Sequence, residues 1–184
     1  MDDSTAGMTA DDYVDMYRHV VGKLRSAGVN NVVYVMNYMG FERWAPIVDA
    51  LYPGDDVVDW IAYDPYAFER HTTFAHMLND PNDAGWPGFY EWATAKMPGT
   101  PIMLAEWGFD LATNSRAADI VREAPDTLRT QFPAIKALVY WNDRARSIDA
   151  RLSGDAAHAN EFADALNEVA SHEYFAMTPT PGTP

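Results

Sequence analysis

The chain has 184 residues, 48% of them hydrophobic and 13% aromatic, which suits one domain with a sizeable core and excludes a disordered chain. Its 13 Lys and Arg residues against 27 Asp and Glu residues leave a formal net charge of −14. This balance argues against nucleic acid or an anionic membrane as the main partner, because both need a basic face.

The first part of the chain predicts one helix and two strands. Thr9 is typical of an N-cap, apolar residues recur at helical spacing after it, and Gly28 is a natural stop. Residues 31–39 form a β-branched apolar run that suits a buried strand. After a shorter helix or loop, residues 57–66 predict a second strand that ends in polar and aromatic residues.

The rest of the chain continues the alternation of strands and helices. Helical and loop segments precede and follow the third strand, which carries the sequence PIMLAEWGF. In order, the predictions are mixed helix and loop over 68–97, a strand over 101–109, a helix with an internal proline over 115–132, a strand over 135–143 and an amphipathic helix over 155–172. The Pro/Thr-rich end, 177–184, is predicted to be a tail or linker, and residues 1–176 one domain.

Apolar strands that alternate with helices indicate a parallel sheet covered by helices, which is an α/β fold. Two closures are possible, an open doubly wound sheet or part of a (β/α)8 barrel. No glycine-rich phosphate loop follows any strand, which weakens the nucleotide-binding open sheet and favours the barrel type. A full barrel needs eight strands, and the sequence predicts four.

Polar and aromatic side chains gather where the four predicted strands end. In both architectures the carboxyl ends of parallel strands meet at one edge, where sites are built. The candidates for catalysis or substrate binding are Asn37, Asp64 with Tyr66, Glu106 with Trp107, and Trp141.

Each candidate also has a structural alternative. Glu106 follows four apolar residues, and burying a carboxylate is costly unless it has partners, but a strand-end glutamate that pairs with a lysine fits equally well. Tyr66 could orient Asp64 through a hydrogen bond, or Asp-Pro-Tyr could be a plain turn. The two tryptophans, 107 and 141, could line a groove or pack in the core.

The other side chains exclude several chemistries. No cysteine is present, and the five histidines form no zinc signature, so neither a metal site nor a cofactor is predicted. His71 and His76 are five residues apart and are interpreted as solvated or loop residues. No Gly-x-Ser-x-Gly elbow occurs, which argues against a serine hydrolase. No apolar run approaches the ~18 residues of a membrane span, and no signal peptide is visible.

Three linked motifs point to a known family. YPGDDVVDWIAYDPY, PIMLAEWG and IKALVYWND, in that order and spacing, resemble the second half of glycoside hydrolase family 26. The opening segment resembles its fourth helix and fifth strand, and the resemblance extends from about Thr9 to Phe175. The family contains β-mannanases and related endo-glycanases with a (β/α)8 barrel, so the resemblance implies strands five to eight of such a barrel.

The resemblance also implies a reaction and roles for individual residues. Glu106 corresponds to the nucleophile of a retaining endo-β-glycanase, most simply an endo-1,4-β-mannanase, and Tyr66 to a tyrosine that contacts it. Trp141 corresponds to an aromatic platform, while Trp107 and Asn37 would be groove residues. The implied substrate is β-mannan or a related β-glycan, and the implied location of the parent protein is extracellular.

The sequence departs from the family in one respect. The family's acid/base glutamate lies at the end of the fourth strand, and nothing here matches that segment. The expectation is therefore a truncated half-barrel that lacks the acid/base and self-associates, aggregates or stays partly molten through its exposed edges. The alternatives are a carbohydrate-binding remnant without activity and, third, an open-sheet enzyme unrelated to sugars.

Overall fold

The structure is a computed structural model that describes residues 9–176. The predicted tail at 177–184 lies outside the described residues, so its boundary stays a prediction. The chain divides into two units, each assembled from separate stretches. Within the described residues, unit 1 contains 9–65 together with 79–106 and 134–139, and unit 2 contains 66–78, 107–133 and 140–176.

The described part of the chain contains seven α-helices and seven strands. The helices are α1 (Ala10–Ser26), α2 (Ala45–Val48), α3 (Phe74–Leu78), α4 (Phe89–Lys96), α5 (Ala117–Arg122), α6 (Ala124–Thr130) and α7 (Ala159–Ala170). The strands are β1 (Val35–Tyr38), β2 (Trp60–Tyr63), β3 (Tyr66–Ala67), β4 (Ile102–Phe109), β5 (Ile135–Tyr140), β6 (Arg144–Ala145) and β7 (Ile148–Asp149). Short 3-10 helices cover Glu42–Trp44 and Glu173–Phe175.

Unit 1 is built on a sheet whose strands β1, β2 and β4 are parallel. The β1–β2 pairing begins with Val35 opposite Trp60, and the β2–β4 pairing begins with Ile61 opposite Ile102. Strand β5 also pairs with β4, and the amide of Ile102 donates to the carbonyl of Ala134 at 2.8 Å. Strands β1 and β5 are therefore the outer strands of this sheet.

Helix α1 forms where the sequence predicts it. The hydroxyl of Thr9 accepts a hydrogen bond from the amide of Asp12, whose carboxylate accepts one from the amide of Thr9, a reciprocal capping box. Gly28 ends the turn after the helix with φ of 79°, a conformation that glycine adopts without strain. Val21 is nevertheless the only buried residue of α1, so its apolar face is largely uncovered.

An aromatic cluster forms much of the core of unit 1. Tyr63 stacks on Phe89 with ring centroids 4.6 Å apart, and Tyr38 meets both Phe89 and Trp92 at 5.5 Å. Rings at these separations add favourable edge and offset contacts to the burial of their area. The cluster therefore fixes α4 against β1 and β2.

Unit 2 packs its helices around a second aromatic core. Strand β3 pairs with the end of β4 in parallel, with Tyr66 opposite Gly108. Phe162 of α7 packs on Phe109 and Tyr140 with ring centroids 5.2 and 5.6 Å away. The internal proline, Pro125, lies in the first turn of α6, where it needs no amide partner, and the predicted single helix is therefore two helices.

The fold class predicted from the sequence is confirmed as a parallel α/β sheet with flanking helices. All four predicted strands are present, each shorter than its apolar run. The predicted strand at 57–66 is two strands, because Asp64 and Pro65 interrupt it. The small antiparallel hairpin of β6 and β7 had no prediction.

Candidate active site

Strand β4 changes its burial pattern where Glu106 emerges. Ile102 and Leu104 are buried and Met103 between them is less buried, as alternation in a strand requires. The next two residues, Ala105 and Glu106, are both outside the buried class. Burial resumes at Trp107, so the alternation slips by one residue. A slip of this kind re-aims a side chain. It leaves Glu106 exposed within β4, directly after the apolar residues 102–105.

Unit 1 brings together three of the predicted site residues. The side-chain amide of Asn37 donates to one carboxylate oxygen of Asp64 at 3.0 Å, and the backbone amide of Glu106 donates to the other at 3.1 Å. Asp64 is only 6% exposed, while Asn37 and Glu106 are exposed. The buried carboxylate of Asp64 therefore links Asn37 on β1 to the backbone of Glu106, the candidate nucleophile.

The environment of Asp64 disfavours its charged form. Burial raises the pKa of this carboxyl to about 6 from an ordinary 3.8, the hydrogen bond from Asn37 lowers it, and the nearby Glu106 carboxylate raises it further. A neutral Asp64 would remove one negative charge from beside Glu106. Asp64 is thus a positioning residue whose charge depends on pH in the mildly acidic range.

This raised pKa predicts how stability depends on pH. Between pH 4 and 6 folded Asp64 holds a proton that the unfolded chain has released, so the free energy of unfolding falls as pH rises through this window. The loss is at most about 3 kcal/mol. We expect Asp64→Asn, which keeps an acceptor for the Glu106 amide, to gain stability over the wild type as pH rises from 4 to 7 in urea titrations. Asp83→Asn, at an exposed position, is the control. A constant difference between wild type and Asp64→Asn across this range would contradict the prediction.

Unit 2 holds the other pair of predicted site residues. The rings of Tyr66 and Trp141 meet edge to face with centroids 5.7 Å apart, and both side chains are half-buried. The amide of Trp141 donates to the carbonyl of Trp107 at 2.9 Å. Gly108 allows β4 to pack closely against Ala150 and Tyr66, since a Cβ at this position would lie 3.1 Å from Cβ of Ala150 and 3.4 Å from the Tyr66 ring. Tyr66 and Trp141 therefore form a partly open aromatic surface on a tightly packed base.

Trp107 lies in the core of unit 2. It is 4% exposed, and its ring meets Tyr140 at 5.1 Å, Phe74 at 5.9 Å and Phe109 at 6.4 Å. Its indole Nε1 has no hydrogen-bond partner among the described residues. This position favours core packing, the alternative that the sequence left open, over a place in a groove.

The prediction of solvated or loop positions is confirmed for the loop position of His71 and is wrong for His76, which lies half-buried in helix α3. His71 lies in a loop as predicted, but it is only 3% exposed, and its Nδ1 accepts a hydrogen bond from the amide of Phe68 at 2.9 Å. The rings of His71 and His76 lie 4.9 Å apart. The buried position reflects the tight turn at 68–71, which the spacing of histidines does not reveal.

A group of charges in unit 2 was missed by sequence reasoning. The guanidinium of Arg151 bonds both oxygens of Asp149, at 2.8 and 2.6 Å, and also reaches Asp155 at 2.9 Å. The pairing with Arg151 lowers the pKa of Asp149 to about 2. The group anchors the hairpin of β6 and β7.

No helix in the described part of the chain is long and apolar enough to cross a membrane.

Comparison with solved structures identifies similar folds. The GH26 domain of an endo-β-mannanase/endo-β-glucanase from Prevotella bryantii matches 90% of this chain and 40% of its own, with a TM-score of 0.59 and 16% identity. The catalytic domain of a GH26 endo-β-1,4-mannanase from Bacillus sp. JAMB-750 matches 91% and 45%, with a TM-score of 0.60 and 22% identity. A modular endo-β-1,4-mannanase from Cellulomonas fimi matches 92% and 37%, with a TM-score of 0.58 and 20% identity.

These matches establish a fold similar to that of glycoside hydrolase family 26, as the motifs predicted. The chain spans less than half the length of each of the three matching chains, which is consistent with part of a (β/α)8 barrel. No protein-family model and no curated protein matches the sequence.

Proposed function

We propose that this chain contributes the second half of the catalytic domain of a retaining endo-β-glycanase, most simply an endo-1,4-β-mannanase. The observation that carries the proposal is the position of Glu106. It is an exposed carboxylate within the parallel strand β4, with its own amide held by a buried aspartate. The mannanase structures with the same fold support the substrate class, β-mannan or a related β-glycan.

In this mechanism Glu106 is the nucleophile. Its carboxylate attacks the anomeric carbon, the glycosidic bond breaks, and the leaving oxygen takes a proton from a second carboxylic acid. Water then attacks the glycosyl-enzyme while that second group acts as the base, which returns Glu106 and releases a sugar of the original configuration. A nucleophile needs firm placement, which the hydrogen bond between Asp64 and the Glu106 amide contributes.

The other site residues have supporting roles in the proposal. The half-buried pair Tyr66 and Trp141 offers aromatic faces for the apolar side of a sugar ring. Asn37 is exposed and hydrogen-bonds Asp64, so it can both orient that aspartate and meet a sugar hydroxyl. Trp107 is a core residue of unit 2 and does not touch substrate in this proposal.

The acid/base group is proposed to lie on further β/α units. The glutamates other than Glu106 lie in segments that the sequence assigns to helix or loop, and the match to whole mannanase chains is partial. A loss of general acid–base catalysis typically costs 10²–10⁴-fold. The activity is therefore proposed for the completed domain, in an extracellular parent protein that meets polymeric substrate.

The proposal is tested by joining the chain to the coding sequence upstream of it. We expect the completed protein to release reducing sugar from β-mannan faster than from mixed-linkage β-glucan or β-1,3-xylan, and the 184-residue chain to release none. The products should keep the β configuration in NMR spectra taken early in the reaction. An inactive complete protein that still binds mannan in affinity electrophoresis would support the carbohydrate-binding alternative, which the aromatic pair Tyr66 and Trp141 would serve.

A further inference from the structure

The hydrogen bonds of Asp64 lie among strands that pair with one another inside unit 1. Asn37 lies on β1, Asp64 directly follows β2 and Glu106 lies on β4, while β2 pairs with both other strands. All three residues belong to unit 1. Their contacts therefore do not depend on what continues the sheet beyond its outer strands.

The Asp64 side chain takes the place of a backbone partner for β4. Strand β2 ends at Tyr63, and Pro65 has no amide with which to extend the pairing. The amide of Glu106 donates to Oδ1 of Asp64 at 3.1 Å. The orientation of this side chain therefore decides whether the Glu106 amide is held at the point where the burial alternation slips.

Asn37 fixes that orientation. Its Nδ2 donates to Oδ2 of Asp64 at 3.0 Å, so each carboxylate oxygen accepts from a different strand. Burial raises the pKa of Asp64, the hydrogen bond from Asn37 on β1 lowers it, and the carboxylate of Glu106 on β4 raises it. Asn37 is thus the side chain that favours the charged form against burial and a like charge.

The amide of Asn37 also suits both protonation states of Asp64. A charged Asp64 accepts at both oxygens, so Asn37 must present its NH2 group, which is the arrangement in the structure. A proton on Oδ2 makes that oxygen a donor, and Asn37 then has to turn its amide over and present its own Oδ1. Oδ1 of Asp64 bonds the Glu106 amide in either state. The direction of the Asn37 amide therefore follows the proton of Asp64.

We propose that Asn37 is a positioning residue of the candidate active site, which keeps Asp64 charged and oriented on the backbone of Glu106 during catalysis. The catalytic part of this inference rests on the proposed function, whereas the hydrogen bonds do not. Attack by Glu106 uses up its negative charge while positive charge develops on the sugar. A charged Asp64 beside Glu106 therefore stabilises the transition state more than the ground state.

The first test measures Asp64 without catalysis. Carboxyl-labelled aspartate in the 184-residue chain gives ¹³C NMR titrations, and Asp64→Asn identifies the Asp64 signal. We expect Asn37→Leu, which removes the donor at similar volume, to move the titration midpoint of Asp64 up by about one pH unit. Asn160→Leu, the same change on the exposed surface of α7, should leave it unchanged. An unchanged midpoint in Asn37→Leu would overturn the proposal.

The second test is the pH dependence of kcat/KM for β-mannan in the completed protein. Asn37→Leu should lose about tenfold at pH 5 and less than about twofold at pH 8, where Asp64 is charged in both proteins. Asn37→Ser, which keeps a hydroxyl donor, should recover part of the loss at pH 5. An equal loss at every pH would show a merely structural role and overturn the proposal. An inactive wild type would contradict the proposed function, while the NMR titration would still decide the hydrogen-bonding role of Asn37.

Discussion

We expect replacement of Glu106 by alanine in the completed protein to lower kcat on β-mannan by about 10⁴-fold or more, because the proposed nucleophile would be gone. This is an expected loss of about 5.5 kcal/mol of transition-state stabilisation. Stability should change little, since Glu106 is exposed. The measurements are initial rates of reducing-sugar release together with thermal unfolding of the same sample.

A chemical rescue separates loss of the nucleophile from general damage. The alanine variant leaves space where the carboxylate was, so azide should restore turnover of an activated aryl glycoside and give a glycosyl azide of inverted configuration. Glu161→Ala, which removes an exposed carboxylate on α7, should keep wild-type activity. If Glu106→Ala kept full activity, or if azide gave a product of retained configuration, Glu106 would not be the nucleophile.

The geometry explains why a glutamate follows a run of apolar residues on β4. Ile102 and Leu104 belong to the core, and both are 1% exposed or less. The slip at Ala105 then frees Glu106 from the alternation that would bury it. Asp64, buried one strand away, holds the amide at this irregular point. Packing and chemistry thus share one strand without a buried charge at position 106.

The sequence predicted those parts of the fold that depend on local pattern. β-branched runs gave the strands β1 and β5, and the cap at Thr9 with the stop at Gly28 gave α1. Linked motifs in register gave the family-like fold, which the structural matches confirm. The strand-end rule also placed Asn37, Asp64 and Glu106 together, because carboxyl ends of parallel strands share an edge.

Features that depend on packing could not be predicted in the same way. Trp107 and Trp141 both follow an apolar, strand-like run in the sequence, yet Trp107 is buried and Trp141 is half-buried. Trp107 is covered in part by Phe74 of α3, a residue that is distant in sequence. His71 is likewise buried by a turn that brings its ring under the Phe68 amide. Periodicity reports the face of an element but not what packs against that face.

Trp107→Ala should destabilise the chain by about 3–5 kcal/mol, since it removes a large side chain from a closed aromatic core. Trp107 is surrounded by Phe74, Phe109 and Tyr140, none of which can move far into the space it would leave. Trp107→Phe should cost less than about 1.5 kcal/mol, because it keeps most of the ring volume. It also removes an indole N–H that has no partner among the described residues, which offsets part of the loss.

The matched control is Trp141→Ala, which makes the same change at a half-buried position in the same unit. Urea unfolding of the three variants should place Trp107→Ala far below the others, while Trp141→Ala weakens mannan binding by the completed protein. A groove role for Trp107 requires the opposite pattern. Its phenylalanine variant would then keep its stability and lose affinity for sugar, because a smaller ring presents less surface to stack on. A core position for Trp107 therefore predicts a loss of stability when the indole is replaced by a smaller side chain, whereas a groove position predicts a loss of affinity for sugar.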